Sequence, residues 1–262
     1  MGKFRNQIGW INCGPDWLKI DLPDPHQEVL AGVRWGYVEE LFSPAFWKHQ
    51  VELQSRQGRY QNHRLGNSLK EEVCACLLGG YGIPAELGMA AFKRVRDCGL
   101  IERTGSDLEF YDLLSAPFYI EGRKRKYRFA KQKAIYLAQA IRCLDAGNIP
   151  GEAKALRNHL MELRGIGPKT ASWIVRNFMC SDEVAIIDIH LLRAGKLINL
   201  FEMGSNPSQE YFKLEERFLN FCEKIEVRAS VLDALIWDFM RRVGLRNSSS
   251  RKYKLRPELV SA

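Results

Sequence analysis

The sequence predicts an all-α protein built from two helical lobes with a cleft between them. Apolar residues recur at helical spacing through most of the 262-residue chain, and helix-capping signals precede several of these repeats. Strand-like runs are brief and isolated, at 118–120 and 185–187. We therefore expect an irregular N-terminal arm over 1–40 and a two-lobed helical domain over 41–262, with the lobe boundary near 115–130.

Capping signals define where the helices begin. A proline after Ser43 starts the first helix, because serine is a favoured N-cap and proline fits the first helical position. Ser68 and Glu71 have the spacing of a capping box, and so do Ser106 and Glu109. Further helices are expected at about 84–98, 129–144, 150–162, 168–179, 188–200, 208–224 and 227–243.

The cysteines do not predict a metal site. All seven are scattered, and no CxxC pair exists. Zinc sites and disulfide frameworks both depend on recurring cysteine spacings, so neither is expected. We interpret all seven as reduced thiols in the protein core.

Positive charge is concentrated in two runs. The net charge is +8, and 123–133 and the tail 241–256 each carry seven cations. Such runs are typical either of a solvated helix face or of contact with a polyanion such as DNA. In the first run the candidates for this contact are Arg123, Lys124 and Arg125.

The most specific motif is LRGIGPKTA at 163–171. Gly165 and Gly167 can adopt positive φ and let the backbone approach a ligand closely. Pro168 fits the first helical position, and the free N–H groups of the following helix start form a phosphate site. Ile166, between the two glycines, is expected to pack the flanking helices together.

An amine and a carboxylate follow this turn. Lys169 lies at the start of the next predicted helix, and Asp188 ends the apolar run 184–187 and opens another helix. An amine can act as a nucleophile, and a carboxylate can stabilise a sugar that becomes cationic. The alternatives are that Lys169 only touches phosphate and that Asp188 only caps its helix.

These residues resemble the helix-hairpin-helix/Gly-Pro-Asp superfamily of DNA glycosylases, above all its compact 8-oxoguanine DNA glycosylase branch. The hairpin of 150–180 matches the pattern hydrophobic-x-Gly-x-Gly-x-Lys-x-Ala, and Asp188 follows Lys169 by nineteen residues. The resemblance is strong over 160–195 and weaker over the rest of 40–245. It implies that Lys169 is a Schiff-base nucleophile and Asp188 the catalytic carboxylate of a glycosylase and abasic-site lyase.

The resemblance implies further DNA contacts and a pocket for an extruded base. Asp233 and Trp237 lie four residues apart on a late helix, so the aromatic ring would stack on the base and the acid would accept a hydrogen bond from its edge. The alternative is that Trp237 belongs to the core. Tyr81, in the loop 79–83, is the candidate wedge. The remaining candidates for DNA contact are Gly165, Gly167, Lys169, Thr170 and His190.

The resemblance also carries expectations about cofactors and partners. Double-stranded DNA containing a modified base is the expected partner, and no cofactor is required. Carbonyls near Leu163 and Gly165 are expected to bind a monovalent cation. No four-cysteine cluster follows Asp188, so no iron–sulfur cluster is expected. The first 40 residues leave no room for the β domain of larger relatives. We expect a cytoplasmic monomer without membrane contact, associated with the nucleoid if bacterial.

Several functions stay open from the sequence. The first is a bifunctional glycosylase and lyase acting on 8-oxoguanine. Because an acid, Asp233, replaces the glutamine of the family pocket, a variant enzyme that removes another base, including a hypermodified phage base in a defence role, is kept. A non-catalytic helix-hairpin-helix DNA-binding module and a helical protein–protein scaffold are also compatible with the sequence.

Overall fold

A computed structural model describes residues 5–80 and 82–243 of the protein. These residues divide into two compact units, one formed by 5–61 with 187–243 and the other by 62–186. The divisions therefore fall after residues 61 and 186, and the expected lobe boundary near 115–130 lies inside the second unit.

Helices make up most of the described chain, which confirms the expected fold class. In chain order the elements are β1 (Gln7–Asn12), β2 (Trp17–Leu22), β3 (Glu28–Leu30), β4 (Val33–Arg34), α1 (Pro44–Arg56), α2 (Leu69–Leu78), α3 (Ala85–Asp97), α4 (Asp107–Ser115), β5 (Phe118–Ile120), β6 (Arg123–Arg125), α5 (Ala130–Ala146), α6 (Ala153–Met161), α7 (Pro168–Met179), α8 (Ile189–Leu197), α9 (Pro207–Lys224) and α10 (Ala229–Val243).

The N-terminal segment is not irregular, and that expectation is wrong for residues 7–34. Strands β1 and β2 pair as an antiparallel hairpin, and β3 pairs with β4 in the same way. In β1 the apolar residues Ile8 and Trp10 face solvent while Ile11 is buried. Because apolar residues occupy both faces, the alternation that normally reveals a strand is hidden. Of the two strand-like runs, 118–120 forms β5, and 185–187 lies outside the strands of the described chain.

The capping signals are confirmed at the helix starts. The hydroxyl of Ser43 accepts a hydrogen bond from the Phe46 N–H at 3.0 Å. Ser106 forms a complete capping box with the residue three positions on. Ser68 caps α2, but the carboxylate of Glu71 accepts the N–H of Asn67 at 2.6 Å. The predicted box of Ser68 and Glu71 therefore has the bond to the Ser68 hydroxyl but lacks the return bond from the Ser68 N–H to Glu71.

A buried acid connects the helices of the second unit. Helix α2 packs against α3, α5 and α7 around an apolar core. Within this core the fully buried Glu72 accepts hydrogen bonds from the N–H groups of Leu65 at 2.8 Å and Gly66 at 3.0 Å. It also accepts one from Asn177 Nδ2 at 2.7 Å. Since a buried carboxylate needs several partners, these bonds fix α2 against α7.

An aromatic cluster positions α10 in the first unit. Phe239 of α10 packs edge-on against Phe42, Phe46 and Trp47, with ring centroids 5.5–5.8 Å apart. Such edge-to-face contacts are the favoured geometry for aromatic pairs. They join α10 to α1 and its preceding turn, and α10 also packs against α8. Helix α10, which carries the residues of the predicted base pocket, is thereby fixed to α1 in this unit.

The cysteines are all free thiols, but they are not all in the core. Cys74, Cys76 and Cys222 are buried, and Cys180 is half-buried. The expectation of a core position is wrong for Cys13, Cys98 and Cys143, which are exposed. A thiol is small and only weakly polar, so sequence alone does not place it inside or outside. None of the described helices is long and apolar enough to span a membrane.

Candidate active site

The predicted hairpin joins α6 to α7. Ile166 is 5% exposed and packs into the core between the two helices, as predicted. Gly165 adopts φ +85°, and a Cβ at this position would lie 2.2 Å from the ring of Tyr136. Glycine is therefore required here both for the backbone angle and for the close approach of the ring.

Gly167 differs from Gly165 in its backbone conformation. Its φ is −94°, so the expectation of positive φ at this glycine is wrong. The backbone is extended here because Gly167 is the N-cap of α7, and N-cap residues are non-helical. A Cβ at this position would meet no atom within 4 Å. The missing side chain thus leaves the start of α7 uncovered.

The first N–H groups of α7 come from two site residues. Pro168 occupies the first helical position and has no N–H, and Gly167 makes no side-chain capping bond. The first N–H groups are therefore those of Lys169 and Thr170, which a helix leaves without an internal partner. Both residues are half-buried. This start has the open N–H groups and the dipole that favour an anion.

Asp188 caps α8 and keeps one oxygen available. Its Oδ1 accepts the N–H groups of His190 and Leu191, each at 2.8 Å. Within the described chain, Oδ2 makes no hydrogen bond. The preceding residue, Ile187, is buried, and its N–H donates to the hydroxyl of Tyr211 on α9 at 3.3 Å. The capping role is therefore real, and it does not occupy the whole carboxylate.

The residues of the predicted base pocket both lie on α10. Asp233 is buried, with 3% exposure, whereas Trp237 is 39% exposed. Trp237 is therefore not a core residue, which removes that alternative. The guanidinium carbon of Arg241 lies 4.7 Å from the centroid of the Trp237 ring. An exposed indole of this kind offers a face on which a base can stack.

An ionic cluster lies beside this tryptophan. Asp238 forms a close ion pair with Arg242 and accepts the hydroxyl of Tyr60 at 2.9 Å. Burial and this hydrogen bond raise the pKa of Tyr60 to about 12. Burial alone would raise the pKa of Asp238, but the bonds from Arg242 and Tyr60 lower it on balance. The carboxylate is therefore ionised and the phenol protonated at neutral pH.

The first basic run forms an exposed hairpin edge. Arg123, Lys124 and Arg125 constitute β6, which pairs with β5, and all three are exposed. Lys133, at the start of α5, is half-buried, and burial lowers its pKa. The run thus presents cations to solvent at β6 and partly buries one at α5.

The structure describes only some of the remaining residues that the sequence predicted to contact DNA. Tyr81 lies outside the described residues, as does the tail beyond residue 243. His190 is half-buried, and its N–H takes part in the Asp188 cap.

No cluster of three or more histidine, cysteine or acidic side chains suited to a metal ion occurs in the part of the chain that the structure describes.

Sequence reasoning missed three residues that contact or support the predicted site residues. Tyr136 fills the space above Gly165, and Glu72 braces α7 through Asn177. Arg241 lies on Trp237. For Arg241 a signal existed, since an arginine four residues after a tryptophan shares its helix face. For Glu72 the signal was an acid directly before the apolar run of α2. The contact of Tyr136 depends on tertiary packing alone.

Comparison with known proteins identifies the family. The model of the 8-oxoguanine DNA glycosylase family matches residues 53–227, well over half of the chain. The chain belongs to this family. An 8-oxoguanine DNA glycosylase/AP lyase of Metallosphaera sedula is 30% identical over 116 residues, covering 42% of this chain and 57% of the relative. The chain thus spans little more than half the length of that relative.

Solved structures confirm the helix-hairpin-helix glycosylase fold. An 8-oxoguanine glycosylase/lyase of Methanocaldococcus jannaschii, solved with a 15mer DNA containing 8-oxoguanine, is similar at 25% identity with a TM-score of 0.59, covering 79% of this chain and 99% of that one. The 8-oxoguanine DNA glycosylase of Thermotoga maritima is 23% identical, with a TM-score of 0.59 over 78% of this chain and 97% of its own. At that identity the second likeness concerns the fold alone.

Proposed function

We propose that the protein is a DNA glycosylase and abasic-site lyase that extrudes a modified base, 8-oxoguanine, from duplex DNA and cleaves its N-glycosidic bond. The observation that carries this proposal is the pair of helix starts at Lys169 and Asp188. One offers an amine beside open N–H groups, and the other offers a carboxylate with a free oxygen. Both occur in a chain of the 8-oxoguanine DNA glycosylase family.

Base release begins with charge on the sugar. As the bond from C1′ to the base breaks, the bonding pair leaves with the base and C1′ becomes cationic. The free Oδ2 of Asp188 stabilises this charge electrostatically. Two backbone N–H groups hold Oδ1, which fixes the orientation of the carboxylate. Because the carboxylate is already oriented, it does not have to move when the positive charge develops at C1′.

The amine of Lys169 then forms a covalent link. The neutral amine donates its lone pair to C1′, the sugar ring opens as the ring oxygen takes a proton, and an imine results. Loss of the proton at C2′ expels the 3′ phosphate and breaks the strand. The step needs the neutral form of the amine, because only its lone pair can attack C1′.

The open start of α7 is proposed to bind a DNA phosphate. Gly165 and Gly167 bring the backbone close, and the N–H groups of Lys169 and Thr170 point at the anion. His190 at the start of α8 is proposed as a further contact. The exposed cations of β6, Arg123 to Arg125, are proposed to attract the DNA backbone, and this attraction weakens as the salt concentration rises.

The base pocket is proposed on α10. Trp237 stacks on the extruded base, and Asp233 accepts a hydrogen bond from its edge. Tyr81 is our proposed wedge for the gap left in the duplex. An acid at position 233 favours a base that presents an N–H donor there. The same acid would also accept a hydrogen bond from another altered base with such a donor, including a hypermodified phage base.

A substrate panel tests the proposal. We expect release of 8-oxoguanine from a duplex with one such lesion, followed by strand cleavage, and no release from undamaged duplex. The panel includes other oxidised bases and hypermodified phage DNA, so selective release of one of those names the substrate instead. Binding to every duplex without any base release would favour the non-catalytic DNA-binding module.

The proposal also covers cofactors and assembly. The amine and the carboxylate supply all the chemistry, so we expect full activity of a monomer in EDTA. A monovalent cation at the carbonyls near Leu163 and Gly165 would support the hairpin. Replacement of potassium by a bulky organic cation should then weaken DNA binding without changing the protein's fold.

A further inference from the structure

Helix α10 carries a stacked cation beside the proposed base pocket. The guanidinium carbon of Arg241 lies 4.7 Å from the centroid of the Trp237 ring. The two residues are four apart, so they share one face of the helix. Trp237 keeps 39% exposure with Arg241 in place. Part of the indole therefore remains open to a ligand while the cation is present.

The positive charge of this cluster is only partly neutralised. Arg242 forms the close ion pair with Asp238, and Arg241 Nη2 lies 3.7 Å from Asp238 Oδ1. The hydroxyl of Tyr60 also donates to this carboxylate. Arg242 therefore takes most of the negative charge of Asp238, and the guanidinium of Arg241 stacked on Trp237 is the less neutralised of the two.

Building on the proposed function, in which Trp237 stacks on the extruded base, we propose that Arg241 is a specificity-determining residue that disfavours positively charged bases. An indole by itself attracts cations through its ring face. A bare tryptophan would therefore favour alkylated purines that carry a positive charge. Arg241 already occupies this interaction and reverses the preference.

The extruded base stacks on the face of the Trp237 ring opposite Arg241. A cationic base there lies roughly 8 Å from the guanidinium and is repelled. A neutral oxidised purine gains the same stacking and meets no like charge. Arg241 therefore selects by charge on this face of the ring.

The expected discrimination is moderate because the site is partly exposed. Two like charges at this separation, in the effective dielectric of a protein surface and with solvent screening, correspond to about a tenfold difference in rate or binding. This is large enough to measure as a ratio between two substrates. It is too small to abolish activity on either.

The experiment compares two duplexes that differ in the charge of one base. One contains 8-oxoguanine, which is neutral, and the other contains 7-methylguanine, which is cationic. Single-turnover release is measured for wild type, Arg241→Gln, Arg241→Lys and Arg242→Gln, with spontaneous loss subtracted. Arg242 is the matched control because it adjoins Arg241 and pairs with Asp238, whereas only Arg241 of the two is stacked on Trp237.

We expect Arg241→Gln to raise the ratio of 7-methylguanine to 8-oxoguanine release by about tenfold. Arg241→Lys, which keeps the charge, and Arg242→Gln should both leave the ratio within about twofold of wild type. An unchanged ratio in Arg241→Gln, including no detectable release of 7-methylguanine, overturns the inference. Failure of wild type to release 8-oxoguanine is a separate result, which overturns the proposed function and this inference with it.

Discussion

Helices α7 and α8 begin in opposite ways. Gly167 caps α7 without a side chain, and Pro168 contributes no N–H. Asp188 caps α8 with its own carboxylate, which accepts two backbone N–H groups. The first start leaves its partial positive charge open to a ligand, whereas the second uses it to hold an acid. Lys169 is the second residue of α7, and Asp188 is the N-cap of α8.

This difference separates two ways of building a reactive group. At α7 the backbone N–H groups form the site, and the lack of a capping side chain at Gly167 lets an anion approach them. At α8 a side chain forms the site, so the backbone orients the carboxylate. We therefore expect substitution of a glycine to alter DNA binding or stability mainly at α7. Substitution of a functional side chain should alter activity at both helix starts. The following predictions test this contrast.

The largest effect is expected from the reactive side chains. Asp188→Asn keeps the N-cap but removes the charge, so base release should fall about 10²–10³-fold. DNA affinity should stay within about threefold, since phosphate contacts carry most of it. Single-turnover release and anisotropy titrations with a lesion duplex measure both. A variant with the wild-type release rate would leave Asp188 only its capping role.

Gly165→Ala should strongly destabilise the fold. The added Cβ would lie 2.2 Å from the Tyr136 ring, at a residue with φ +85°. Overpacking and a left-handed alanine together should cost about 3 kcal/mol in the free energy of unfolding. Urea denaturation measures this change. Restored stability in the double variant Gly165→Ala with Tyr136→Ala would show how much comes from the ring contact.

Gly167→Ala is the matched variant, and it should affect binding rather than folding. Its φ of −94° suits alanine, and the new Cβ meets no neighbour within 4 Å. We expect stability within about 1 kcal/mol of wild type. DNA affinity should fall about tenfold, because the methyl group intrudes where a phosphate would approach. Wild-type affinity together with wild-type stability would show that α7 does not bind a phosphate here.

The smallest effect isolates the cap of α8. Asp188→Ala should lower the free energy of unfolding by about 1 kcal/mol, and Asp188→Asn should leave it nearly unchanged, because asparagine caps as well as aspartate. Lys169→Ala should change stability by less than about 0.5 kcal/mol, since α7 has no side-chain cap. Thermal denaturation measures all three. Equal losses for the alanine and asparagine variants would contradict the account of this helix start.

The sequence predicted the parts of this molecule that local rules decide. The hairpin turn, the buried Ile166 and the capped starts at Ser43 and Ser106 all follow from residue types at fixed spacing. The strands of 7–34 were missed because apolar residues lie on both faces of β1. Positive φ at Gly167 was wrong because the residue is an N-cap.

Tertiary contacts were beyond local rules. The Tyr136 ring above Gly165 joins residues about thirty positions apart, and no pattern at either position indicates it. Similarly, the hydrogen bond from Asn177 to Glu72 depends on the packing of α2 against α7. The exposure of Trp237, which the sequence left undecided between core and pocket, was also fixed by packing. Long-range packing therefore determined how the predicted groups are supported.

The central claim is that Lys169 is the amine that attacks the sugar. The most direct test is borohydride reduction of the protein with an 8-oxoguanine duplex, followed by mass spectrometry of the cross-linked peptide. We predict a reduced adduct on the peptide that carries Lys169. An adduct on Lys133, whose pKa is lowered by burial, would contradict the claim. So would the absence of an adduct while base release proceeds.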